Sequence, residues 1–202
     1  MQISDDELVE KYRNGDTEGF NCLVERYGKP LYNFIFRMLR DRSESEDMLQ
    51  EVFLRVVRNI HRYEMRGRFK SWIFTIANHV VVSELRHRSK RRALSLDQEF
   101  GSGEGGLELH DVVGDERYLP DVLAERKELR EKLDDAIQLL PFAQRQVLMM
   151  REFSGLQFKE IAGILECPLN TVLGRMHYAL RNLRQKLAEF YKCSENPGGQ
   201  GQ

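Results

Sequence analysis

Gly155-Leu156-Gln157-Phe158-Lys159-Glu160-Ile161-Ala162-Gly163-Ile164-Leu165, followed by Glu166-Cys167-Pro168-Leu169 and then by Asn170-Thr171-Val172 running on to Arg181-Asn182-Leu183-Arg184-Gln185-Lys186-Leu187, is the stretch that decides the fold. The first part has the apolar spacing of a short amphipathic helix, the second is a tight turn holding Pro168, and the third opens a long helix. A short apolar helix, a turn and a second helix with polar and basic residues early on is the arrangement that lays a recognition helix in the major groove of DNA. A plain helical hairpin inside a bundle has the same outline, so the segment alone leaves both readings open.

Composition narrows the choice. A chain of 202 residues can hold one large or two small domains with real cores. Charged residues make up 31% and apolar ones 41%, and the formal net charge is −1, so this is not a basic protein that coats nucleic acid. Any DNA contact has to come from local basic patches. Cys22, Cys167 and Cys193 lie far apart with no Cys-x-x-Cys pair. That argues against a disulfide framework or a zinc site and fits a reducing cytoplasm. No metal or other cofactor is expected. No apolar run approaches the length of a membrane span, and the acidic N-terminus is no signal peptide, so the expected location is cytoplasmic.

Outward from the opening stretch, the chain divides by composition. From Ser4 to about Arg92 helix patterns are dense. Ser4 before Asp5-Asp6-Glu7 suits an N-cap. Gly15 can stop that helix, and Asp16 can cap a second one with the apolar face Phe20, Leu23, Val24 and Tyr27. Pro30 suits the start of a third, Leu31 to Arg40. Ser43 with Glu46 reads as a capping box for a helix carrying Met48, Leu49, Val52, Phe53, Val56, Val57 and Ile60. A loop from Arg62 to Arg68 leads to a long helix from Phe69 to about Ser89. From Leu94 to Pro120, glycines sit among acids with few apolar residues, as in a flexible acidic linker. Helical spacing resumes at Asp121, with Leu129, Leu133, Ile137 and Leu140, and Pro141 starts a further helix. The Gly- and Gln-rich end reads as a disordered tail. The expected architecture is all-α: helical domains over 1–92 and 121–192, a flexible acidic linker over 93–120, and a tail over 193–202.

Specific motifs sit on these elements. Phe20-Asn21-Cys22-Leu23-Val24-Glu25-Arg26-Tyr27 is followed by Ser45-Glu46-Asp47-Met48-Leu49-Gln50-Glu51-Val52-Phe53-Leu54-Arg55 and then by Phe69-Lys70-Ser71-Trp72-Ile73-Phe74-Thr75-Ile76-Ala77-Asn78. These blocks resemble region two of the extracytoplasmic-function group of bacterial sigma factors. Leu140-Pro141 through Leu187 is similar to sigma region four, and no region three stands between. The resemblance implies an initiation subunit that binds core RNA polymerase, directs it to promoters and helps melt them. The implied partners are core polymerase, double-stranded promoter DNA with its melted non-template strand, and an anti-sigma factor. No stable homo-oligomer is expected.

The candidate residues follow from chemistry and resemblance together. Asp47, Gln50, Glu51 and Leu54 fall at spacings of three and four and share one helix face. A solvated face has the same pattern; the resemblance implies docking on the clamp helices of the large polymerase subunit. Tyr63-Glu64-Met65-Arg66-Gly67-Arg68-Phe69-Lys70 is a basic loop with aromatics at both ends, suited to holding phosphates and stacking an extruded base. Trp72 has the spacing of a core residue, three from Phe69 and four from Ile76, which favours packing over direct DNA contact. The resemblance implies a −10 site built from Arg66, Arg68, Phe69, Lys70, Asn78, His79, Arg86 and Arg88. His79 falls where many relatives have Asn, and Ser83 where many have Asp; imidazole and amide offer different hydrogen-bond patterns, so the family's usual base preference does not carry over to these positions. The basic run from Arg86 to Arg92 suits backbone phosphates as well as plain solvation. For the −35 element the expected residues are Lys159, Asn170, Thr171, Arg175, His177, Tyr178 and Arg181. Arg175 is placed for guanine O6 and N7, and Asn170 and Thr171 for a phosphate at the helix start. Relatives commonly have basic or small polar residues at the positions of Leu173, Gly174, Tyr178 and Leu180, which implies weaker or more shape-dependent reading here.

No nucleophile–base pair, metal cluster or phosphate loop stands out, so no catalysis is expected. Two rivals remain at this level. A stand-alone helix-turn-helix regulator would bind a palindromic site as a dimer without polymerase. A protein-binding adaptor would show little salt-dependent affinity for DNA.

Overall fold

The computed structural model describes residues 3–95, 129 and 131–194. The expected linker beyond Ser95 and the expected tail beyond Ser194 lie outside the described residues. Every regular element among those described is helical. The first unit comprises α1 (Asp5–Arg13), α2 (Thr17–Leu39), α3 (Arg42–Asn59), a 3-10 turn (Ile60–Arg62) and α4 (Phe69–Ser95). The second comprises α5 (131–138), α6 (Phe142–Leu148), a π-helical segment (Met149–Phe153), α7 (Phe158–Ile164) and α8 (Leu169–Ser194).

Local signals explain most of the boundaries. Ser4 and Glu7 form the reciprocal capping box of α1, with acids filling the first turn. Asp16 caps α2 by accepting from the Glu18 N–H at 3.0 Å. Gly19 lets α1 and α2 touch, because a Cβ there would stand 2.5 Å from the Leu8 carbonyl oxygen.

Four expectations are corrected. Pro30 starts no new helix; it lies inside α2. Proline removes a donor, which leaves the Arg26 carbonyl without its helical partner and costs about 3 kcal/mol in an exposed helix interior. Leu23, Tyr27, Leu31, Phe34, Ile35 and Met38 form one buried stripe across it, and that burial, at roughly 1.5–3 kcal/mol per large side chain, outweighs the loss. The Ser43/Glu46 capping box is not used either. Asp41 caps α3, accepting from the Glu44 N–H at 2.8 Å. The first helix of the helix-turn-helix begins at Phe158 rather than Gly155, because the chain from Ser154 to Gln157 is spent leaving the π segment. Phe69, expected at the DNA surface, is fully buried. Its ring lies between Tyr27 at 5.5 Å and Tyr63 at 5.4 Å and anchors α4 to α2.

The two units share a continuous hydrophobic core. The π segment packs on α2 and α7 packs on α4. No helix among the described residues is long and apolar enough to cross a membrane.

Candidate nucleic-acid interface

The basic loop between the 3-10 turn and α4 takes its shape from α1. The Arg13 guanidinium donates to the carbonyls of Ile60 and Tyr63, with Nε 3.1 Å from Ile60 O. The Tyr63 hydroxyl donates to Asp6 Oδ1 at 2.7 Å, and the Gly67 N–H donates to Asp6 Oδ2 at 2.7 Å. The Arg68 N–H donates to the Tyr63 hydroxyl oxygen at 3.1 Å. Gly67 sits at φ +65°, in the left-handed region, and turns the loop tip. Burial and the Asp6 carboxylate push the Tyr63 phenol up to about 12.

Arg66 and Arg68 stand exposed on either side of this tip, and Arg66 pairs with Glu64 at 3.0 Å. Trp72 takes its packing role. It packs 5.2 Å from Tyr63 and 5.6 Å from Phe69, and its other side lines a cleft of about 710 Å³. Arg62, Arg66, Arg68 and Trp72 form one wall of that cleft, and Lys159 and Glu160 of α7 the other. Lys159 is exposed there, and Lys70 Nζ reaches the Gly155 carbonyl at 3.4 Å.

Further along α4, the expected DNA residues part company. His79 and Arg86 are exposed. Asn78 is 6% exposed and accepts a hydrogen bond from the buried Gln146 amide of α6. Arg88 differs from expectation. Its guanidinium donates to the Leu39 carbonyl at 2.8 Å, pairs with Glu44 and lies 3.8 Å from Glu84. It ties the C-terminal end of α2 to α3, so a phosphate would have to displace these partners.

Asn78 is one point of a polar seam between the units. Ser71 donates to Glu160 Oε1 at 2.6 Å, while Glu160 Oε2 accepts from the Gln157 N–H at 2.7 Å and so also caps α7. On α2, Arg37 pairs with Asp134, its guanidinium sits 4.0 Å over the Phe153 ring, and its carbonyl accepts from Gln138 at 3.0 Å. Arg40 lies 3.7 Å from Asp135. A crevice of about 210 Å³ gathers Asn78, His79, Gln146 and Arg175. Residues expected to read two different promoter elements therefore face one another. Arg175 is half-buried, with Nη1 3.9 Å from Cys167 Sγ.

The outer face of α8 is open. Val172, Met176 and Ala179 point into the core, and the opposite side exposes Asn170, Thr171, Leu173, His177, Tyr178, Leu180 and Arg181. The face of α3 is open as well. Asp47 and Gln50 are exposed, Leu54 is 50% exposed, and Glu51 pairs with Arg55 at 2.6 Å. Val52 and Val56 take the inward side.

Sequence reasoning missed Asp6, Arg13, Arg37, Asp134, Gln146 and Glu160. Asp6 had a local reading as a first-turn helix acid, and nothing in the chain signalled a partner as distant as Tyr63.

Comparison with known proteins identifies the family. Residues 23–91 match the family model Sigma-70 region 2, and residues 130–183 match Sigma-70, region 4. The chain is 31% identical over 182 residues to RNA polymerase sigma-H factor of Pseudomonas aeruginosa, covering 88% of this chain and 91% of that protein. It is 32% identical over 170 residues to ECF RNA polymerase sigma factor SigX of Bacillus subtilis, covering 84% of each. Among solved structures, the sigma factor RpoE from Bartonella quintana, in complex with the anti-sigma factor NepR, has the same fold. It aligns with a TM-score of 0.66 at 19% identity over 84% of this chain and 96% of that one. With regions two and four in order and relatives matched over most of their length, the chain belongs to the extracytoplasmic-function sigma factors, which bind RNA polymerase and direct it to promoters to start transcription.

Proposed function

We propose that this sigma factor works through three surfaces: the α3 face and the outer face of α8 are open in the free protein, while the α4 surface is partly covered by the second unit. Residues 1–92 engage core polymerase and then recognise and melt the −10 element; residues 121–192 recognise the −35 element. Asp47, Gln50, Glu51 and Leu54 on α3 meet the polymerase, where acids and an amide beside an apolar residue give both charge pairing and register. Arg66, Arg68, Lys70 and Trp72 receive the melted non-template strand, with His79 and Asn78 on the following helix. Arg86 holds backbone phosphate. On the second unit Asn170 and Thr171 take a phosphate, His177, Tyr178 and Arg181 face the groove, and Lys159 supports from α7.

The observation that carries this reading is the contrast between α3 and α4. The α3 face has no partner among the described residues other than Arg55, whereas Asn78 on α4 is covered by Gln146 and Arg175 stands in the same crevice. Polymerase can therefore dock first, and parting of the units then frees Asn78 and Arg175. An anti-sigma factor, the kind of partner present in the Bartonella quintana complex, would act by holding the units together in the cytoplasm.

Run-off transcription with purified core polymerase on a promoter library tests the assignment. Substitutions at Arg66 and Arg68 should shift the −10 preference alone, and substitutions at His177 and Tyr178 the −35 preference alone. Both sets altering the same element, or a dimer that binds palindromic DNA without polymerase, would overturn it.

A further inference from the structure

We infer that α1, which lies outside both matched family segments, is the positioning element of the promoter-melting loop, with Asp6 as its working group. The inference rests on the proposed role of that loop in receiving the −10 strand. Among the described residues, 64–67 make no backbone-to-backbone hydrogen bond. A segment without such a ladder must satisfy its polar groups otherwise or remain without a set shape. Asp6 provides the substitute. One carboxylate oxygen accepts from Tyr63 at the start of the loop and the other from the Gly67 N–H at its tip, both at 2.7 Å.

The Tyr63 hydroxyl passes this order on. It donates to Asp6 and accepts from the Arg68 N–H at 3.1 Å. Arg13, from the other end of α1, holds the carbonyls of Ile60 and Tyr63. The loop is thus gripped at its root by Arg13 and at its tip by Asp6. Arg66 and Arg68 flank the gripped tip, so the directions in which their guanidinium groups leave the backbone follow from Asp6. A binding loop held in its working shape loses less entropy when the nucleic acid arrives. Asp6 touches no nucleic acid in this scheme; it acts through the loop.

Asp6→Ala, Tyr63→Phe and the double variant, each as full-length protein with core polymerase, test the inference. The readout is discrimination between matched and mismatched −10 elements, followed by 2-aminopurine fluorescence in the non-template strand, alongside core affinity, −35 discrimination and thermal stability. Each single variant should lower −10 discrimination about tenfold, with core affinity and −35 discrimination unchanged, and the double variant should be no worse than either. Asp6→Asn, which keeps one acceptor oxygen, should fall between. Retained −10 discrimination in Asp6→Ala would overturn the inference. So would a loss shared in equal proportion by core affinity and stability, which would make α1 only a structural helix. Arg66→Ala/Arg68→Ala serves as the separate check on the loop: if it leaves −10 discrimination intact, the loop reading fails, and the positioning role falls with it.

Discussion

Arg37→Ala should open the free protein. Arg37 joins the units through three contacts: its ion pair with Asp134, its guanidinium 4.0 Å over Phe153, and its carbonyl bond from Gln138. The substitution removes the first two. The Asp134 side chain is only 12% exposed, so its charge-assisted bond stands near the range of about 1.5–3 kcal/mol. Phe153 is partly exposed, so the ring contact adds about 0.5–1 kcal/mol. Together these weaken closure by about 2–4 kcal/mol, which is roughly thirtyfold to several hundredfold in the opening equilibrium. Apparent affinity for a single-stranded −10 oligonucleotide should rise by up to that factor, because a ligand of the open form is penalised by the closed population. Two-dye energy transfer between cysteines placed at Glu10 and Arg181, in a cysteine-free background, reads the separation directly. Asp134→Ala should act alike, and the double variant should add little, since the two residues share one interaction. An unchanged transfer distribution and unchanged oligonucleotide affinity, with helicity retained, would refute the reasoning.

Glu51→Lys should weaken core binding by more than about 1.4 kcal/mol, a tenfold change, in a titration with core polymerase, while far-UV circular dichroism stays that of the parent. Arg181→Ala, on the open face of α8, should lower promoter affinity evenly across −35 sequences and flatten its salt dependence. Gly19→Ala drives a Cβ to 2.5 Å from the Leu8 carbonyl oxygen, a backbone atom that cannot rotate away, and should cost about 1–3 kcal/mol in a denaturant melt. The Tyr63 phenol, raised from 10.0 to about 12, favours the folded state while it stays neutral. That contribution is fully present below pH 10 and is lost as pH rises through about 12. In an alkaline absorbance titration, Tyr63→Phe should therefore remove one late-titrating phenol.

Much of this protein was legible along the chain because it depends on short-range physics. Ser4 with Glu7, Asp16 with Glu18 and the apolar period of α8 each act within a turn or two, and periodicity reports such things directly. The motif blocks that identify sigma regions two and four are equally local, and so is the shared face of Asp47, Gln50 and Leu54. Where local rules competed with burial, burial won. Pro30 reads as a helix start, yet the stripe from Leu23 to Met38 carries one helix through it. Phe69 reads as the aromatic end of a DNA loop, yet Tyr27 and Tyr63 enclose it. Only the tertiary structure decided what the long-range polar groups do. Asp6 meets Tyr63, Arg37 meets Asp134, and Gln146 meets Asn78 across separations of 57, 97 and 68 residues. A side chain's hydrogen-bond partner depends on where packing brings the two backbones together, and no periodicity or spacing encodes that. The covering of α4 by the second unit, and the grip of α1 on the basic loop, exist for the same reason: they are properties of the packed chain, made by residues whose own neighbours in sequence do not reveal them.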